Sequence, residues 1–159
     1  MNMRAYKSDD LEAVMAIADQ AWQPIRKMSR EALGDFISDI LNPAGDAKSK
    51  GLQVKEQIDS NLYYIAVCEH ENRIAGFITY RIDGDAAEIC NNAVDGKLGL
   101  KGVGQMMYRH VLDECRKANA KFVKVTTGLD HAHAPARRAY ERAGFKKHLD
   151  SITYFMELE

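Results

Sequence analysis

Six residues near the middle of the chain, Gly99-Leu100-Lys101-Gly102-Val103-Gly104, have the composition of an anion-binding turn. The residues leading in, Asn91 to Leu98, end an apolar strand pattern, and those running out repeat apolar side chains at Val103, Met106, Met107, Val111, Cys115 and Ala118, which is helical spacing. Glycines at a strand-to-helix junction leave the first amides of the helix without intrahelical acceptors, beside the positive end of its dipole. Phosphate is the usual anion at such a place. A tight turn before a core helix is the plainer use of the same glycines. Two familiar phosphate loops fail on spacing. A P-loop carries Lys and then Ser or Thr after its second glycine, whereas Gly104 is followed by Gln105-Met106. A dinucleotide fingerprint needs a third glycine where Met107 stands. A kinase-type nucleotide hydrolase and a nicotinamide enzyme are therefore disfavoured.

Other reactive side chains carry less. Asp130-His131-Ala132-His133 offers two histidines but no third ligand at a convincing spacing, so no metal is expected. Cys68, Cys90 and Cys115 lie far apart, and an odd number cannot all pair within one chain, so free thiols in a reducing compartment are expected. Lys48, Lys50 and Lys55 form a modest basic cluster that reads as a solvated helix face.

The elements that must position the glycine turn follow from periodicity. Met3 to Tyr6 can be a short strand, after which Asp9 and Glu12 have the spacing of a capping pair. Leu11, Val14, Met15, Ala18 and Trp22 then share one helical face, with Pro24 expected to interrupt it and a second helix expected from Ser29 to Leu41. Residues 43 to 61 are polar, with a weak helical pattern at Leu52, Val54 and Ile58. Strands are expected at Tyr63 to Cys68, Ile74 to Ile82 and Ala86 to Val94, the last two joined by an Asp83-Gly84 turn, as an antiparallel meander. After the glycines and their helix come a strand at Phe122 to Thr127, a helix at Ala134 to Ala143, and an alternating strand at Ile152, Tyr154, Met156 and Leu158. This is an α/β pattern with a mixed sheet and one strand-helix-strand crossover.

A length of 159 residues suits a single domain spanning 1–159. The 22 basic and 23 acidic side chains leave a formal charge of −1, which gives no support to a sequence-independent nucleic-acid binder. No apolar run has signal-peptide or membrane-spanning length, so a cytoplasmic protein is expected, without membrane or nucleic-acid partners.

Gly99-x-x-Gly102-x-Gly104 resembles the Q/R-x-x-G-x-G/A loop of the GNAT family, the acetyl-CoA-dependent N-acyltransferases, with Gly99 in place of the customary Gln or Arg. Ala93-Val94-Asp95 resembles the strand end that precedes that loop. About 36 residues beyond the last loop glycine, Tyr140-Glu141-Arg142-Ala143-Gly144-Phe145 resembles the family's Y-E-x-x-G-F signature. The likeness is good from Leu62 onward and holds for the first third only in general layout.

The resemblance implies a mostly antiparallel sheet splayed between its fourth and fifth strands, with acetyl-CoA in the gap. Its pantetheine arm would lie along Ala93 and Val94, and its pyrophosphate on the amides of Gly102, Val103 and Gly104, where Gln105 continues the helix. With Gly99 lacking a side chain, Lys101 is the nearby charge. His133, seven residues before Tyr140, stands where the family often has a coenzyme-contacting asparagine. Tyr140 takes the acid position near the coenzyme sulfur, and Glu88, on the strand leading to the loop, is the candidate base, with water relayed through Asn91, Asn92 or backbone carbonyls as its rival. Trp22, Ile25 and Arg26 fall on the acceptor side. The implied activity is direct acetyl transfer to a primary amine of a small molecule or a protein. Another acyl-CoA, or a coenzyme-binding regulatory module with little turnover, are the alternatives, and a homodimer is left open.

Overall fold

The computed structural model describes residues 1–158. Strands β1 (Asn2–Ala5), β2 (Tyr64–His70), β3 (Arg73–Asp83), β4 (Ala86–Val94) and β5 (Phe122–Val125) form one sheet whose spatial order follows the chain. The first four are antiparallel neighbours, while β4 and β5 are parallel. Parallel neighbours need a crossover, and helix α3 (Val103–Lys117) supplies it. Helices α1 (Leu11–Leu41), α2 (Ser49–Asp59) and α4 (Ala134–Ala143) complete the architecture. It is the α/β, mixed and mostly antiparallel sheet read from the sequence.

Both sheet faces are covered, which is why the central strands are apolar on both sides. On one face Ala66, Cys68, Ile78, Tyr80, Ala87 and Ile89 meet Val103, Met107, Val111 and Cys115 of α3. On the other, Val67, Phe77 and Ala93 meet Val14, Ile17 and Ala18 of α1 and Val54 of α2. All three cysteines are free thiols, with Cys68 and Cys115 buried and Cys90 partly so, and burial pushes each thiol up.

Four details correct the sequence reading. Helix α1 passes through Pro24 and breaks instead at Gly34, which has φ 76° and ψ 173°. Pro24 lies on the exposed side, where water can take the hydrogen bond that the ring removes, whereas only glycine readily adopts the conformation at position 34. Asp10, rather than an Asp9 and Glu12 pair, staples the turn just before α1: its carboxylate accepts the Lys7 amide at 2.8 Å and a two-pronged Arg4 contact at 2.7 and 2.9 Å. Lys50 is not on a solvated face, since its ammonium sits 4.4 Å from the Trp22 ring centroid and burial beside Arg26 lowers it to about 8. The strand expected at Ile152 to Leu158 does not form; those side chains are exposed and unpaired.

Candidate active site at the gap between the fourth and fifth strands

Pairing between β4 and β5 runs only from Ala86 with Phe122 to Ile89 with Val125. Beyond Ile89, residues Cys90 to Val94 have no strand partner on that side among the described residues, so the two strands part there. At the same point β4 carries a bulge: Ile89 opposes Tyr80 and Asn91 opposes Thr79, leaving Cys90 as the extra residue. One extra residue reverses the alternation of side chains. Ala87 and Ile89 belong to the α3 face, but after the bulge Ala93 belongs to the α1 face, and Asn92 turns toward α3 and α4.

Asn92 ties three elements together at the gap. Its side-chain NH2 donates to the Tyr140 hydroxyl at 2.9 Å, and its carbonyl accepts the Tyr108 hydroxyl at 2.8 Å. The Tyr140 oxygen is thus an acceptor toward Asn92, which leaves its own proton available to a group in the gap. The ring is 8% exposed, tilted against Tyr108 at 5.4 Å and edge-on to Phe145 at 6.0 Å. Burial raises the Tyr140 hydroxyl above its ordinary value, partly offset by the hydrogen bond it accepts from Asn92. At neutral pH it is a held, protonated donor.

The glycine turn lies where β4 ends. Asp95 caps a short turn at Gly96 to Leu98 by accepting the Lys97 amide, and Gly99 closes it in the left-handed region at φ 62°. Gly102 is left-handed too, at φ 84°, and forms the N-cap of α3. The first amide of the helix to find a backbone acceptor is that of Met106, on the Gly102 carbonyl at 3.0 Å. The amides of Val103, Gly104 and Gln105 are the orphan donors of a helix start. A Cβ on Gly99 or Gly102 would meet no atom within 4 Å, so these glycines border open space and not a packed turn. Gly99 takes this left-handed backbone freely, whereas a Cβ of any residue there would cost about 1–2 kcal/mol. Free helix-start amides beside open space fit a pyrophosphate.

The other sequence-derived site residues are placed as follows. Ala93 and Val94 lie on the unpaired edge of β4. Lys101 is exposed beside the turn. The Gln105 side chain donates to the Ala139 carbonyl at 2.9 Å, joining α3 to α4, so only its amide is free for a ligand. His133 caps α4 two turns before Tyr140, on the same helical face. Its ring Nδ1 is 2.6 Å from Asp130, and Arg137 holds that loop by donating to the carbonyls of Gly128 and Asp130 at 2.6 and 2.8 Å. Glu88 stands apart from this group. It lies where β4 and β5 are still paired, on the sheet face opposite Tyr140, and its Oε2 is engaged by Arg81 at 2.6 Å and Lys124 at 3.5 Å.

On the α1 face, the Asn91 NH2 donates to Gln57 of α2 at 2.5 Å, with Thr79 alongside. Trp22 lies under Lys50, and Arg26 lines a cavity of about 510 Å³ with Gln23, Lys27, Arg30 and Asp46. Ile25 is half-buried on the same helix. Trp22, Ile25 and Arg26 thus share the α1 side of the sheet and do not touch Tyr140's network. Sequence reading missed Tyr108, Gln57 and Asp130. Tyr108 sits on the inner face of α3 and carried no signal beyond that of a core aromatic.

The sequence profile described as the Acetyltransferase (GNAT) family matches residues 25–145, more than half of the chain. Among curated proteins, the uncharacterized protein YxbD of Bacillus subtilis is 34% identical over 76 residues, covering 48% of this chain and 45% of YxbD. The chain thus matches less than half the length of that relative. Among solved structures, the PaiA N-acetyltransferase of Thermoplasma acidophilum in complex with coenzyme A has a TM-score of 0.66 at 18% identity, covering 91% of this chain and 89% of that one. The aminoglycoside acetyltransferase meta-AAC0020, from an uncultured soil metagenomic sample and in complex with sisomicin, has a TM-score of 0.62 at 15% identity, covering 99% and 96%. These structures share the fold with a chain whose sequence matches the family over the gap, the glycine turn and the Tyr140 helix. The protein belongs to the GNAT family of acetyltransferases.

Proposed function

We propose that the protein transfers an acetyl group from acetyl-CoA directly to a primary amine of a small molecule or a protein. The observation that carries this reading is the Tyr140 hydroxyl, held by Asn92 with its proton free, at the unpaired edge of β4. The free amides of Val103 to Gln105 would take the pyrophosphate, and the open edge at Ala93 and Val94 would take the pantetheine arm as an added strand. When bound, acetyl-CoA supplies the thioester: the amine nitrogen bonds to the acetyl carbon as the carbon–sulfur bond breaks. Tyr140 gives its proton to the departing sulfur, whose reference pKa is about 8.5. His133, held by Asp130, contacts the coenzyme from the start of α4. Likeness to a fold bound to coenzyme A, and to one bound to an aminoglycoside, supports both halves of the reading.

The amine must shed a proton to attack. For a lysine-like amine of pKa about 10.4 this costs on the order of 4–5 kcal/mol at neutral pH, so the rate should climb with pH. Glu88 is the only carboxylate on β4, but Arg81 and Lys124 already engage it. We therefore assign the proton to water at the gap, with Glu88 holding those two cations. Glu88→Gln is expected to leave kcat within about threefold and the rise with pH intact. A fall of about 100-fold with a flattened profile, the scale of a lost general base, would make Glu88 the base. The acceptor would approach over α1, past Trp22, Ile25 and Arg26.

The test of the activity is thiol release from acetyl-CoA with a panel of amines. Release that depends on a primary amine supports transfer. Tight coenzyme binding without acetylated product from any amine would favour a regulatory module instead.

A further inference from the structure

Two cations on the α1 side of the sheet stand together with no anion between them. Arg26 follows Trp22 by one turn of α1, and the Lys50 ammonium of α2 lies 4.4 Å from the Trp22 ring centroid. Among the described residues neither cation makes an ion pair, whereas the next basic residue on that face, Arg30, is taken by Asp35, Asp39 and Asp46. The Arg26 Nε is buried without a hydrogen-bond partner, and its Nη2 comes no nearer than 3.5 Å to Gln53. Asp46 and Asp19, the carboxylates whose fields favour the Arg26 charge, are engaged elsewhere: Asp46 Oδ2 meets Arg30 at 2.7 Å, and Asp19 accepts the Gly51 amide at 2.6 Å. Burial and the Arg26 charge hold Lys50 down at about 8, and burial lowers Arg26 as well. Like charges kept together out of water are costly unless an anion joins them.

Helix α2 connects this pair to the gap. Lys50 and Gln57 are seven residues apart, so they share a helical face with about 10 Å between them. Gln57 accepts the Asn91 amide at 2.5 Å, and the next residue of β4, Asn92, holds the Tyr140 hydroxyl. We propose that Lys50 and Arg26 bind an oxyanion of the acceptor, so that the substrate is a primary amine carrying a carboxylate or a phosphate about 10 Å from its nitrogen. The inference rests on the acetyl transfer proposed above, because it takes the amine to react at the gap. A guanidinium offers paired donors to either oxyanion, and an ammonium adds a point charge beside it. Three extended peptide residues span about 10 Å, so a short peptide with free ends has the right reach. An aminoalkyl phosphate of similar length presents the same chemistry. An anion there would neutralise both cations and change the field on Trp22, the single tryptophan of the chain.

The test uses matched pairs of amines: triglycine against triglycinamide, and 6-aminohexyl phosphate against 6-aminohexanol. Trp22 fluorescence is titrated with each in the presence of coenzyme A, and acetylated product is then measured with acetyl-CoA. In at least one pair the anionic member is expected to bind at least about tenfold more tightly than its neutral partner, with kcat/KM higher by the same factor. The pair that discriminates names the oxyanion. Lys50→Met and Arg26→Met are each expected to bring that ratio toward one. Equal kcat/KM within both pairs, or a ratio unchanged in both variants, would overturn the proposal. Discrimination in fluorescence without acetylated product from any of the four amines would leave the anion site standing and remove the transferase reading. Product formed equally well from anionic and neutral amines would do the reverse.

Discussion

Tyr140→Phe is expected to lower kcat about 100-fold while the dissociation constant of the coenzyme stays within about twofold. The substitution removes one oxygen and nothing else, and the ring keeps its packing against Tyr108 and Phe145. What disappears is the donor for the departing thiolate, together with the acceptor of the Asn92 amide. The pH profile carries a second signature. A tyrosine raised by burial keeps its proton through neutral pH and loses it only above the ordinary phenol range near 10. The wild-type rate should therefore climb as the amine deprotonates and fall only at the alkaline extreme, and the variant should keep the climb without that fall. Rates at saturating coenzyme from pH 6 to 11 check both points. An unchanged kcat would reduce Tyr140 to a packing residue.

Gly102→Val carries the second large effect, on binding and not on chemistry. Gly102 holds φ 84°, and a side chain in the left-handed region costs about 1–2 kcal/mol, more for a β-branched residue. The protein itself has room, since a Cβ there meets nothing within 4 Å. That space is what a pyrophosphate would use to reach the amides of Val103 to Gln105. The coenzyme should bind at least about tenfold more weakly, with kcat at saturation changed little. Gly102→Asn separates the two causes, because asparagine tolerates the left-handed backbone yet still places a side chain in the open space beside the amides. If Gly102→Asn bound the coenzyme as tightly as glycine, measured by titration calorimetry, the loop would be a structural turn only.

The glycine turn and the meander were legible because each depends on local chemistry. Alternation in Ile74 to Ile82, the Asp83-Gly84 turn, and the 3.6-residue spacing from Val103 to Cys115 all speak through neighbours in sequence. The parting of β4 and β5 came only through likeness to a known family. The bulge at Cys90 left no trace, because a bulge is a mismatch between two strands and neither strand alone records it. Yet that one residue decides that Asn92 faces Tyr140 and Tyr108. Pro24 misled for a related reason: a proline's missing hydrogen bond matters only where water cannot replace it, and exposure is a tertiary property. Lys50 likewise reads as solvated until α2 folds against Trp22. The alternating residues from Ile152 to Leu158 keep their strand character in sequence, but a strand also needs a paired neighbour, and among the described residues they have none.

The most direct measurement follows one reaction, acetyl-CoA with a primary amine, for two products at once: free coenzyme thiol by a chromogenic reagent and acetylated amine by mass spectrometry. Direct transfer at the strand gap predicts that the two appear one to one, only when amine is present, and together about 100-fold more slowly with Tyr140→Phe. Thiol appearing without acetylated amine, or neither product from any amine, would contradict it.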